Sequence, residues 1–168
     1  VTRYFEDFKP GDVMESGGYT ITRASILAFA RDYDPQLFHT DEEAARHTIY
    51  GGLIASGWQT AAILMRLCWD TLLHDCAGLG SPGIDELRWL KPVRPGDTLT
   101  LRYTVADVVP SRSKPDRGIV RSLSEMRNQR GEVVLTMKGL GMFSRRPSPG
   151  AAPGSRSNGE RGIGGQRV

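Results

Sequence analysis

Cysteine is scarce: Cys68 and Cys76 are the only two in 168 residues. That count excludes a disulfide-stapled scaffold. Residues 53–76 read as one helix, in which the two thiols would lie roughly 12 Å apart along the axis, too far to bridge. Histidine is almost as rare, with His39, His47 and His74 alone. No cysteine pair has the two-residue separation of a zinc site, and His47 and His74 have no ligand partners at metal spacing. Also missing are a glycine-rich loop ending in Lys-Ser/Thr and a Gly-x-Ser-x-Gly elbow. Val1–Thr20 carries no secretory pattern, so a reducing cytoplasm is the expected setting. The longest apolar stretch is broken by Arg66 and Asp70, which leaves less than the ~20 apolar residues that a membrane span needs.

What is present suits one domain and a tail. Apolar residues make up 39% of the chain and charged residues 24%, enough for a core. The net charge is +3, but five arginines from Arg145 onward stand against Glu160 alone, so residues 1–144 net −1. A basic nucleic-acid-binding body is therefore disfavoured. Residues 147–168 hold six Gly, three Pro and three Ser, a composition that cannot offset the entropy of ordering. The domain is read as 1–146 and the flexible tail as 147–168.

Thr22 can cap a helix carrying Ile26, Leu27, Phe29 and Ala30, which must stop by Asp34 because Pro35 follows. Thr40-Asp41-Glu42-Glu43 reads as a capping box with Thr40 as the cap, opening a short helix that runs to about His47. Leu53–Cys76 is apolar nearly all round apart from the stripe of Arg66, Asp70 and His74, and reads as a buried central helix. Strands are expected near Val13–Thr20, over Ile84–Leu90, through Leu99, Leu101, Tyr103 and Val105, and over Ile119–Met126 and Glu132–Phe143. Pro95-Gly96 fits a type II turn. Short turns between strands imply an antiparallel sheet, and wrapping it round the one apolar helix gives an α+β fold.

Titratable groups concentrate in Arg31–His39. On a continuous helix Asp34 and His39 would be turned roughly 140° apart, and Pro35 prevents that helix. An irregular connection can instead aim both side chains into one cleft. A carboxylate beside an imidazole suits acid–base chemistry near neutral pH. The same residues also fit a plain reading, since Asp-Pro starts turns and a His before a cap can bond backbone.

Tyr33-Asp34-Pro35-Gln36-Leu37-Phe38-His39-Thr40-Asp41 resembles the signature of the MaoC-like dehydratases and (R)-specific enoyl-CoA hydratases, whose fold is a hot dog. In that pattern Asp and His are separated by four residues, a second Asp follows two after the His, and a Gly eighteen after it opens the central helix. Asp34, His39, Asp41 and Gly57 match it without a gap. A rival register would make Asp32 catalytic, with two residues inserted before His39; only the Asp34 register keeps Asp41 and Gly57 in place. The resemblance covers roughly Tyr4 to Arg146.

It implies syn hydration of an enoyl thioester, or the reverse elimination. Asp34 and His39 would activate one water, and the Gly57 N–H would stabilise the thioester oxyanion. Gln36 and Ser56 join Gly57 as oxyanion or substrate-binding candidates. Both depart from the pattern: Gln36 stands where the hydratases often have Asn, and Ser56 where they often have His. Coenzyme A would arrive as part of the substrate, with no metal or redox cofactor. The expected partners are an acyl-CoA thioester and further copies of the chain, in a homodimer or dimer-based oligomer, with neither nucleic acid nor membrane. Lys91, Arg94, Arg112, Lys114 and Arg117 are candidate cations for coenzyme A phosphates, or a solvated surface. Two alternatives stay open, a hot-dog thioesterase using Asp70 and a non-catalytic acyl-thioester-binding subunit. A tail-borne nucleic-acid contact is a further rival.

Overall fold

Strict alternation of side chains builds the sheet. In the computed structural model, which describes residues 2–147, strand β4 (Thr98–Pro110) buries Leu99, Leu101, Tyr103 and Val105 and leaves Thr98, Thr100, Arg102 and Thr104 partly exposed. The expectations for the tail from 148 onward lie outside the described residues. Ahead of β4 come β1 (Val13–Glu15), β2 (Tyr19–Thr20) and β3 (Gly78–Trp89); β5 (Arg117–Arg127) and β6 (Val133–Ser144) follow it. The spatial order is β1-β4-β5-β6-β3, with β2 also on β4, and every pairing is antiparallel.

The single N-terminal strand expected at Val13–Thr20 is two strands. Ser16 interrupts them, bonding Leu101 through its backbone N–H at 2.9 Å and accepting from the Leu101 N–H at 2.8 Å. β3 begins earlier than expected, and its register slips between Gly78 and Gly80, Gly80 and Gly83, and Ile84 and Glu86. Its other edge lies free among the described residues.

Four helices pack on or beside this sheet: α1 (Arg23–Tyr33), α2 (Leu37–Thr40), α3 (Glu42–Arg46) and α4 (Gly57–Thr71). Thr22 caps α1 by accepting from the Ser25 N–H at 3.1 Å. The cap of α3 is Asp41, not Thr40. Asp41 Oδ1 takes the N–H groups of Glu43 and Ala44, while the Thr40 hydroxyl donates backwards to Gln36 O. Thr40 is already the last residue of α2, so its side chain serves the preceding turn.

α4 is shorter than expected at both ends. Leu53–Ser56 is extended because its hydrogen bonds go elsewhere, Ile54 N–H to Phe38 O at 3.1 Å and Ala55 N–H to Val93 O at 2.8 Å. The helix stops at Thr71 and a 3-10 turn, Leu73–Asp75, follows. Cys76 therefore lies beyond it, where its Sγ donates to the Leu72 carbonyl at 3.1 Å, and no disulfide joins it to Cys68. Nor is α4 buried all round. Gln59, Thr60, Ile63, Leu64, Leu67 and Cys68 face the sheet, whereas Trp58, Met65 and Trp69 are 61%, 51% and 54% exposed. In a single chain the sheet covers only one side of it, so the apolar residues opposite have no cover. No helix among the described residues is long and apolar enough to cross a membrane.

The turn before β4 is tied to the β5–β6 hairpin. Pro95-Gly96 makes the type II turn, with Gly96 at φ +87° in the region that glycine favours. Asp97, buried beneath it, accepts from the Arg94 N–H at 2.8 Å and from Gln129 Nε2 at 2.9 Å. Next to it Glu132 gathers Asn128 Nδ2 at 2.8 Å, Lys91 Nζ at 2.6 Å and Arg130 Nε at 2.9 Å. These donors pull the Glu132 carboxyl down to about 2. A carboxyl depressed on folding stabilises the fold above its unfolded value and loses that contribution as pH falls through the folded one. Glu132→Gln should thus be less stable than the parent chain near neutral pH, and the gap should close between the ordinary Glu range and about 2. Urea melts across that window would read it; a gap independent of pH would refute the account.

Candidate active site

Asp34 is the residue at which α1 stops. Its φ of −153° and ψ of 70° leave the helical region, as a residue before proline should. Two residues on, Gln36 opens the one-turn helix α2, and His39 sits within it. The connection expected to be irregular thus contains a helical turn. This places His39 Nε2 at 3.4 Å from Asp34 Oδ2. His39 is 4% exposed, and the Phe38 ring stands edge-on to it at 4.6 Å.

The tautomer follows from one contact. His39 Nδ1 lies 2.8 Å from the carbonyl of Ile54, a group that can only accept, so Nδ1 carries a proton. In the neutral ring Nε2 then holds its lone pair towards Asp34. Nε2 and the carboxylate are both acceptors across 3.4 Å, an arrangement suited to a water or a shared proton.

Asp34 is held by neighbours on both oxygens. Ser56 Oγ donates to Oδ2 at 2.7 Å and Gln36 Nε2 donates to Oδ1 at 2.8 Å. Burial raises its pKa, but these two bonds and the adjacent His39 outweigh that, and the carboxyl is held below its ordinary value. Ser56 is fully buried and is also the cap of α4, accepting from the Trp58 N–H at 3.2 Å. The Gly57 N–H, first in the helix, has no acceptor among the described residues.

Asp34, Gln36, His39 and Gly57 open onto one cleft of about 490 Å³, walled by aromatic and apolar residues that include Phe38, Tyr50, Trp58 and Trp89. Ser56 stands behind Asp34 rather than on the wall. Lys91 lines the same cleft, already bonded to Glu132, and Arg94 donates to Tyr50 O at 2.5 Å. Arg112 and Arg117 line a separate cavity at the β4–β5 hairpin. Asp32 is exposed on the last turn of α1. Asp41 caps α3. Asp70 is exposed and paired with Arg66 at 2.8 Å near the far end of α4, away from the cleft. His47 pairs with Glu43 on the surface, and no cluster among the described residues could hold a metal ion.

Sequence reasoning did not single out Ile54 or Trp89. Neither carries a local signal, because each acts through a partner far along the chain.

A sheet curled round one helix, with a carboxylate and an imidazole meeting at the helix N-terminus, defines a hot-dog fold of the hydratase and dehydratase class. A family model for the MaoC like domain matches residues 7–126, and the chain belongs to that family. The crystal structure of a MaoC-like dehydratase from Rhodospirillum rubrum is similar with a TM-score of 0.80 at 46% identity, covering 87% of this chain and 99% of that one. The chain is 31% identical over 139 residues to the uncharacterized protein YdeM of Bacillus subtilis, across 79% of this chain and 97% of that protein. It is also 32% identical over 114 residues to an (R)-specific enoyl-CoA hydratase of Rhodospirillum rubrum, across 67% and 76% respectively.

Ser56→Ala removes one of the two bonds that favour ionised Asp34, so the Asp34 carboxyl should titrate at higher pH. Carbon-13 NMR of the labelled side chain would follow the midpoint. A midpoint unmoved by the substitution would show that Ser56 serves only as the helix cap.

Proposed function

We propose that this protein is a hydro-lyase that reversibly hydrates an enoyl-CoA, or dehydrates the matching 3-hydroxyacyl-CoA. The observation that carries the reading is the fixed Nδ1–H tautomer of His39, which leaves Nε2 facing Asp34 at 3.4 Å beside the unpartnered Gly57 N–H. Water bonded to both Nε2 and the carboxylate from the cleft side loses a proton to the pair, and its oxygen bonds to C3 of the double bond. The π electrons move towards the thioester, whose oxygen takes up negative charge near the Gly57 N–H, aided by the positive end of α4. The pair then returns the proton to C2 from the same face, so addition is syn and atoms balance. Dehydration is the same path reversed. A carboxyl held low stays ionised and helps orient the water.

Coenzyme A enters as part of the substrate, with no further cofactor in the scheme, and the setting is the cytoplasm. The exposed residues Trp58, Met65 and Trp69 on α4 and the free edge of β3 support a homodimer, since apolar surface of that kind and an open strand edge call for cover. Asp70, the carboxylate that a thioesterase would use on the central helix, is paired with Arg66 and does not line the cleft.

Purified protein with crotonyl-CoA and longer or branched enoyl-CoAs should bleach the conjugated-enoyl absorbance. Asp34→Asn and His39→Ala should each lower kcat by about 10²- to 10⁴-fold while circular dichroism stays unchanged. Full activity in either variant would defeat the assignment, and unaltered substrate recovered after tight binding would favour a non-catalytic subunit. In sedimentation the protein should run as two chains, and Trp69→Glu should run as one; a wild-type monomer would count against the dimer.

A further inference from the structure

Gly57 has no side chain to hold its own backbone, yet the reading above needs its N–H aimed at one point. We infer that Trp89 is a positioning residue that fixes this donor, an inference that rests on the hydratase reading. Trp89 Nε1 donates to the Gly57 carbonyl at 2.7 Å. The other polar end of the same peptide, the Trp58 N–H, donates to Ser56 Oγ at 3.2 Å. The peptide that follows Gly57 is therefore gripped at both ends by side chains. The Gly57 N–H belongs to the preceding peptide, whose Ser56 carbonyl accepts from the Thr60 N–H at 3.1 Å and from Thr60 Oγ1 at 3.3 Å. Glycine lacks the Cβ contacts that restrict a backbone, so with the peptide before it held by Thr60, the Trp89 bond to the peptide after it completes the grip that sets the direction of the helix's first N–H.

The indole also occupies the space that a side chain at position 57 would take. A Cβ there would lie 2.6 Å from Trp89 Cε2 and Nε1. Glycine at 57 thus answers to Trp89 as well as to any ligand. The indole is steadied in turn by Trp58, whose ring meets it at 5.2 Å and 77°, so β3 and the start of α4 are locked together at the cleft wall.

The consequence is kinetic. A neutral thioester carbonyl gains little from a well-aimed donor, whereas the developing oxyanion gains much. Loss of the indole N–H should therefore lower kcat and spare KM.

Trp89→Phe keeps the ring and removes the donor. With crotonyl-CoA its kcat should fall about tenfold, less than the ~10²-fold of deleting an oxyanion donor outright. Its KM, its affinity for butyryl-CoA by calorimetry and its pH limbs should stay within twofold of the parent. A kcat within twofold of the parent would overturn the inference while leaving the hydratase reading standing. A rise in KM in step with the loss of kcat and a lower Tm would overturn it too, by showing a structural role. Wild-type protein that hydrates no enoyl-CoA would instead overturn the reading beneath it, and the inference with it. Independently, Gly57→Ala should be nearly inactive, and adding Trp89→Ala should recover activity several-fold by removing the clash; no recovery would show that the indole does not demand the glycine.

Discussion

Four residues that refuse to be helical organise the site. Leu53–Ser56 is apolar enough to continue α4 backwards, yet its backbone runs extended between Phe38 on one side and Val93 on the other. From that stretch the Ile54 carbonyl sets the His39 tautomer, Ser56 holds Asp34 and caps α4, and the helix starts at Gly57 with its N–H free. Had the helix begun at Leu53, the Ile54 carbonyl would have been spent within it and His39 would have lost its partner. A backbone hydrogen-bond choice thus comes before the chemistry.

Much of this was legible locally and some was not. The alternation of β4, the Thr22 cap, the type II turn at Pro95-Gly96 and the break at Pro35 each depend on residues within a few positions, and the structure contains all four. The meeting of Asp34 and His39 was legible for the same reason: proline bars one continuous helix, so the chain must turn between them. The start of α4 was hidden because its decisive partners, Phe38 and Val93, lie far off in the chain. Thr40 and Asp41 are both good caps by composition; the choice fell to Asp41 because α2 already uses Thr40, and α2 itself was not foreseen. Trp89 lies 32 residues from the carbonyl it bonds, a contact without periodic trace. The exposed side of α4 was missed because a pattern of apolar residues does not say how many neighbours will cover them.

Charge is distributed in a way that keeps the cleft quiet. Lys91 reaches the wall but is neutralised by Glu132, and Arg94 is turned to the Tyr50 carbonyl. The Asp34 carboxylate is then balanced mainly by hydrogen-bond donors, Ser56 and Gln36, rather than by a fixed cation. An uncharged donor set stabilises the anion without placing a fixed cation beside the His39 ring.

The slips in register along β3 bear on which chains it turns away. An open strand edge is a template for any extended peptide, and aggregation starts there. Here the strand is interrupted three times before Glu86, at Gly78/Gly80, Gly80/Gly83 and Ile84/Glu86, and Pro82 has no N–H to offer. A passing peptide would find an even ladder only over the short run Glu86–Trp89, beside the tryptophan that abuts Gly57. The irregularity acts as a filter: it denies continuous pairing to a straight strand and favours a partner whose own edge is bent to match.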